Sequence, residues 1–156
     1  MANTTDRLSN MLAVFPSPAP IDMARTLDLA GFRWKAVSSA EEAAKSEPAE
    51  GWSGAIIMCD EDPEGGWSLC RSLRKRDVPV ERILVLVNGG QLPDLELRDD
   101  LFDDFCLAPF HPRELEARVR HMFWFEIKGN RESLIEYSGL VLNVETYQAS
   151  FGGQAL

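Results

Sequence analysis

The chain has 156 residues, 45% of them hydrophobic, and a formal net charge of −9. This length is enough for one domain with a full core and little more. The acidic balance would repel phosphate backbones, so we expect no strong nucleic-acid binding by this piece alone. Because the sequence has no 18-residue apolar run and no signal peptide, we expect a cytoplasmic protein without a membrane partner.

The three cysteines, Cys59, Cys70 and Cys106, are widely spaced, and each lies within an apolar run. An odd number of separated thiols does not form a disulfide framework or match the ligand spacing of a metal site. We therefore expect reduced cysteines in the core of the protein.

Apolar runs alternate with helical patterns along the chain. Wholly apolar stretches predict buried strands, and positions spaced i, i+3, i+4 predict helices that cover them. The helix at 91–100 is the least supported, because Pro93 and the alternating sequence DLEL interrupt it. Five strands alternating with helices imply an open parallel sheet covered on both faces. The predicted strands are 11–15, 34–37, 55–59, 82–87 and 105–108, and the predicted helices are 21–30, 40–46, 67–75, 91–100 and 112–125.

The most informative stretch is 101–125, LFDDFCLAPFHPRELEARVRHMFWF. Its two leading aspartates precede a short apolar strand that Pro109 ends, and Pro112 suits the first turn of the helix that follows. The segment DDFCLAPFHPRELEAR resembles the end of a bacterial response-regulator receiver domain of the OmpR/PhoB class. In that class the pattern is Asp-Asp, a hydrophobic strand, Lys-Pro-Phe and then Pro-x-Glu-Leu-x-Ala-Arg.

The resemblance implies a CheY-like, flavodoxin-like α/β fold for residues 1–125. With the right-handed crossover rule it implies the strand order 2-1-3-4-5. We expect a polar linker at 126–134. Residues 135–156 resemble the opening strands of a winged-helix DNA-binding domain that continues beyond the given sequence. A natural short protein with a β tail is the alternative for this last segment.

A phosphate-accepting receiver of this class needs an aspartyl nucleophile, acidic Mg²⁺ ligands, a hydroxyl and a lysine at the carboxyl edge of the sheet. Asp60 stands at the phosphoacceptor position. The acidic pair after the first strand is replaced at Pro16, the hydroxyl position falls on Val87 or Asn88, and the lysine is Ala108. The resemblance therefore implies a receiver without the Mg²⁺-dependent phosphorylation switch.

We accordingly expect no metal, no cofactor and no enzymatic activity. The acidic residues Glu61, Asp62 and Glu64 leave another cation site open, although a solvated acidic loop explains them equally simply.

The resemblance also implies a homodimer formed by the fourth helix, the fifth strand and the fifth helix. Residues 122–125 are four consecutive large apolar residues, and one helix cannot turn all four toward the protein core. This pattern favours an apolar interface on the outer face of the helix. The resemblance and the apolar run together predict six interface residues: Asp103, Asp104, Glu114, Arg118, Trp124 and Phe125.

The sequence thus predicts the dimerising receiver of a DNA-binding transcriptional regulator. It is similar in outline to actinobacterial GlnR-type regulators of nitrogen metabolism that work as phosphorylation-independent dimers. DNA would bind through the winged-helix domain, and RNA polymerase is a further candidate partner. Two alternatives remain open: a pseudo-receiver that senses a ligand beside Asp60, and a conventional receiver phosphorylated at Asp60 by a histidine kinase.

Overall fold

The computed structural model describes residues 11–130, with side chains described for 11–122. The chain divides into two compact units, Met1–Arg118 and Val119–Leu156, and the sheet belongs to the first. The strands are β1 Met11–Phe15, β2 Arg33–Ala36, β3 Gly54–Met58, β4 Ile83–Val87 and β5 Asp104–Leu107. The helices are α1 Ile21–Leu29, α2 Ala40–Ser46, α3 Pro63–Lys75, α4 Gly89–Arg98 and α5 Pro112–Asn130, of which α4 is a 3₁₀ helix.

All four strand pairs are parallel, and the strand order is β2-β1-β3-β4-β5. The register sets Phe15 beside Ile57 and Val87 beside Leu107, so the carboxyl ends of β1, β3, β4 and β5 meet at one edge. The predicted flavodoxin-like fold and strand order are confirmed.

The two faces of the sheet bury alternate residues of each strand. One face carries Ala13, Phe15 and Ile57 into a cluster with side chains of α2, α3 and α4. The intervening residues of each strand point to the opposite face of the sheet. Met23 and Leu27 of α1 are fully buried against that face. Because both faces are covered, β3 and β4 are buried at every position, as their continuous apolar sequences predict.

Helix α3 begins at Pro63, before the start predicted at residue 67. The Asp62 side chain accepts a hydrogen bond of 3.0 Å from the Gly65 N–H and caps the helix. An N-cap aspartate followed by proline is a sequence signal for the start of a helix. Here the glycines at 65 and 66 favour a loop in the sequence prediction, so this signal is missed. Gly66 is required here for close approach, since a Cβ on it would lie 2.8 Å from Cys59 Sγ.

Two further elements differ from the sequence prediction. The weakly supported fourth helix exists, but it winds as a 3₁₀ helix with Pro93 inside it. Helix α5 continues to Asn130, beyond the predicted end at residue 125 and into the stretch predicted as linker. The strands predicted within 135–156 lie outside the described residues. Across 11–130, none of the helices combines the length and apolar character that crossing a membrane requires.

Candidate functional site

Asp60 lies directly after β3, at the edge where the strand ends meet. Its backbone N–H donates to Leu86 O at 3.0 Å, which ties the residue to the neighbouring β4. Its carboxylate oxygen Oδ1 is buried and has no hydrogen-bond partner in the described part of the chain. Asp60 thus lies at a strand end, and within the described residues one of its oxygens lacks the partner that a buried carboxylate normally has.

Burial raises the pKa of the Asp60 carboxyl above its ordinary value. The negative charges of Glu61 and Asp22 act in the same direction, and the backbone N–H groups of Asp60 and Glu61 oppose them. Asp22 comes from the first turn of α1, so that helix brings a second negative charge toward Asp60. Among the described groups that shift this pKa, none is a cation.

The end of β1 is occupied by an aromatic ring where the receiver class has carboxylates. Phe15 is only 4% exposed and belongs to the core cluster. A Cβ on Gly65 would lie 3.0 Å from Phe15 Cζ, so the first turn of α3 packs closely on this ring. Pro16, where the receiver resemblance leads us to expect an acidic residue, follows Phe15 and offers no carboxylate.

These residues do not fit the Mg²⁺ site that the receiver resemblance implies. Magnesium needs several hard oxygen ligands in near-octahedral geometry. Within residues 11–122, no three acidic, histidine or cysteine side chains are grouped so that they could hold a metal ion. Asp62, one of the candidates for another cation site, is instead used as the N-cap of α3.

The receiver resemblance leads us to expect a hydroxyl at Val87 or Asn88, and in the structure Asn88 caps α4 instead. Val87 is fully buried. The next residue, Asn88, accepts a hydrogen bond of 3.2 Å from the Gln91 N–H, and Gln91 Oε1 accepts one of 2.8 Å from the Asn88 N–H. Gln91 Nε2 also donates to Cys59 O at 3.2 Å. The spacing Asn-x-x-Gln was an available signal for this capping box, which was missed because the two glycines suggested a turn.

Ala108, where the receiver resemblance leads us to expect a lysine, makes a backbone hydrogen bond to β4. Its N–H donates to Val87 O at 2.8 Å. The cation Arg98, at the end of α4, stacks on the ring of Trp67, with its guanidinium carbon 4.9 Å from the ring centroid.

The predicted interface charges are paired within the chain. Arg118 donates to Asp104 at 3.1 and 3.3 Å and to Glu114 at 3.0 Å. Asp103 accepts from Arg74 at 2.6 Å and from the Ile83 N–H at 2.8 Å. An interchain role for Asp104 or Arg118 would therefore require exchange of an existing ion pair, and Asp103 has a structural role that the sequence did not reveal. The side chains of Trp124 and Phe125 lie outside the described residues.

All three cysteines are free and buried, as predicted. A hydrogen bond with Cys70, together with burial, raises the pKa of Cys59, and burial raises that of Cys106. The raised pKa values leave little thiolate on Cys59 and Cys106, so these two thiols act as small apolar core groups rather than as nucleophiles.

Replacing Asp60 by asparagine should stabilise the fold at pH 7, because it removes a carboxylate charge that burial disfavours. The folded-state pKa lies above the ordinary value of 3.8, so the folded protein binds the proton more tightly than the unfolded chain does. The parent therefore loses stability as pH rises from 3.8 through the folded-state pKa. Urea unfolding at pH 3 and pH 7 should show the gain only at pH 7.

Asp100→Asn is the control, because Asp100 is exposed and lies just after the C-terminal end of α4. This variant removes the same single negative charge at a different, solvent-exposed position. An equal gain in this variant would trace the effect to net charge, and a loss of stability in Asp60→Asn at pH 7 would contradict the account.

Comparison with known proteins supports the receiver assignment. No family model matches the chain. A protein named "Probable transcriptional regulator ycf27", from Porphyridium aerugineum, is 33% identical over 78 residues, which cover 49% of this chain and 31% of that protein. The chain thus spans about a third of the length of the curated relatives of this kind that it matches.

Two solved structures share the fold. The receiver domain of the sensor histidine kinase PA1611 from Pseudomonas aeruginosa, solved with magnesium in its active site cleft, matches at TM-score 0.59 and 18% identity, covering 72% of this chain and 96% of that one. The OmpR/PhoB homologue DrrB from Thermotoga maritima matches at TM-score 0.57 and 20% identity, covering 74% and 53%. Together with the strand order, these likenesses show that the described part of the chain has the CheY-like, flavodoxin-like receiver fold.

Proposed function

We propose that the chain is the dimerising receiver of a cytoplasmic, DNA-binding transcriptional regulator of the OmpR/PhoB class, and that it works without Mg²⁺-dependent aspartyl phosphorylation. The observation that carries the proposal is the end of β1, where Phe15 and Pro16 replace the acidic pair. DNA would bind through a winged-helix domain that begins in 135–156, and RNA polymerase is a candidate partner of the assembled regulator. In this respect the chain would work like the actinobacterial GlnR-type regulators.

Electrostatics supports the independence from phosphate. A phosphoryl group on Asp60 would add negative charge beside Glu61 and Asp22, both of which already raise the pKa of Asp60. Neither Ala108 nor the end of β1 supplies a cation or the ligands for one. Like charges that are partly withdrawn from water repel one another by several kcal/mol, since screening is weak there.

The described surface also favours a dimer held by apolar contacts. Leu97 on α4 is 84% exposed and Leu107 on β5 is 43% exposed, and both lie on elements of the proposed interface. The charged residues Asp104, Glu114 and Arg118 are already paired within the chain. A self-complementary C2 contact would cover the exposed leucines without breaking those pairs.

The same geometry weighs against a pseudo-receiver that holds a metabolite beside Asp60. The buried Phe15 ring lies at the end of β1, and the first turn of α3 packs closely on it, so polar groups that could hold a metabolite are not supplied there. A conventional phosphorylated receiver would need ligands from residues that α1 or the β3–α3 loop supplies, and Asp62 of that loop already caps α3.

The test combines oligomeric state with chemical modification. We expect the unmodified chain to be a dimer at micromolar concentration in sedimentation, and incubation with Mg²⁺ and acetyl phosphate to add no phosphoryl mass. Leu97→Glu should weaken dimerisation at least about tenfold, because the contact would bury the new charge twice. Leu29→Glu is the matched control, since Leu29 on α1 is 82% exposed and lies outside the proposed interface.

Stoichiometric modification of Asp60 would overturn the independence from phosphate. A monomer without phosphate, or equal weakening by both leucine variants, would overturn the interface.

A further inference from the structure

The side chain of Gln91 connects α4 to the end of β3. Its Oε1 accepts from the Asn88 N–H, which belongs to the cap of α4 itself. Its Nε2 donates to the carbonyl oxygen of Cys59 at 3.2 Å. Cys59 is fully buried and immediately precedes Asp60. One amide group therefore joins the first turn of α4 to the strand end that carries the acceptor aspartate.

Helix α4 has few other anchors on the sheet. It is a 3₁₀ helix, whose hydrogen bonds have poorer geometry than those of an α-helix. Leu95 is its one buried residue. Arg98 at its far end stacks on Trp67, which in turn makes an edge contact with Phe102 at 6.1 Å between ring centroids. Because the apolar contact is small, the hydrogen bond from Gln91 Nε2 to Cys59 O is a large part of what holds the first turn of α4 against the sheet.

We propose that Gln91 is a positioning residue that fixes α4 on the end of β3 and thereby presents Leu97 for dimerisation without any ligand at Asp60. This inference rests on the proposed function. In this chain a glutamine amide and a backbone carbonyl connect the start of α4 to the strand end that precedes Asp60. The position next to the vacated hydroxyl, Asn88, serves only as the cap.

Two substitutions at Gln91 separate the cross-link from the cap. Gln91→Glu keeps an acceptor for the Asn88 N–H but replaces the donor to Cys59 O with a carboxylate oxygen, which repels that carbonyl. Gln91→Ala removes both bonds. Asn88→Ala is the matched control, because it removes the side-chain acceptor of the Gln91 N–H, which still donates to Asn88 O at 3.0 Å, and leaves the bond from Gln91 Nε2 to Cys59 O intact.

The measurement is hydrogen exchange of the α4 backbone amides in the full chain, together with the dimer dissociation constant. We expect Gln91→Glu and Gln91→Ala to raise exchange in 89–98 by about threefold to tenfold and to leave β3 and β4 unchanged. The dissociation constant should rise in parallel, while the urea midpoint of global unfolding should move little. Asn88→Ala should alter exchange less than Gln91→Glu does.

Unchanged α4 exchange in Gln91→Glu, or an equal rise in Asn88→Ala, would overturn the positioning role. Faster α4 exchange with an unaltered dissociation constant would overturn its link to dimerisation. Failure of the proposed function gives a different result, because the parent would then be a monomer while α4 exchange in its Gln91 variants would still report on the cross-link.

Discussion

Replacing Phe15 by alanine should lower the free energy of unfolding by about 3–5 kcal/mol, the usual cost of removing a buried aromatic side chain. The ring is only 4% exposed and packs against the first turn of α3 and the core cluster. The helix cannot collapse into the space freely, since Gly66 already lies close to Cys59. The cavity would therefore persist at the carboxyl edge of the sheet. Urea unfolding followed by circular dichroism measures the loss.

Phe15→Leu provides the control, because leucine keeps most of the apolar volume and should cost less than about 1.5 kcal/mol. A loss below about 1 kcal/mol in Phe15→Ala would show that the ring contributes little to the fold. That result would also weaken the argument against a pseudo-receiver that holds a ligand beside Asp60, because that argument depends on close packing of the Phe15 ring.

The sequence predicted the sheet because the sheet is determined by local apolar runs. The stretches AIIMC and ILVLV are apolar at every position, which only a strand covered on both faces requires, and both are buried throughout. The position of Asp60 followed from the same reasoning, since the residue after a buried parallel strand lies at the edge where the strand ends meet.

Contacts between distant residues could not be predicted in this way. The bond from Gln91 to Cys59 spans 32 positions, and that from Arg74 to Asp103 spans 29. Neither pair has a pattern in the sequence that differs from an ordinary polar surface. The environment of Asp60 was also hidden, because Asp22 acts on it from α1, a helix that β2, α2 and β3 separate from it in the sequence. The start of α3, by contrast, was predictable from Asp62 and Pro63.

Replacing Asp103 by alanine should destabilise the fold by about 1–3 kcal/mol, mainly because the Ile83 N–H would lose its partner. The carboxylate accepts from this N–H at 2.8 Å, and the Asp103 N–H donates to Ile83 O at the same distance. Asp103 therefore satisfies both backbone polar groups of Ile83 at the start of β4. Ile83 is fully buried, and water cannot readily replace the lost acceptor. The ion pair with Arg74 contributes little, because both side chains are partly exposed.

Asp103→Asn separates the two contributions, since its amide oxygen can still accept from Ile83 while the charge that pairs with Arg74 is lost. We expect it to cost well under half as much as alanine in urea unfolding, and both losses to be independent of protein concentration. An interface residue would behave differently, because the stability of a dimer depends on concentration. A loss that grows on dilution in Asp103→Ala would return this residue to the dimer contact, and equal losses in both variants would transfer its role from the Ile83 N–H to Arg74.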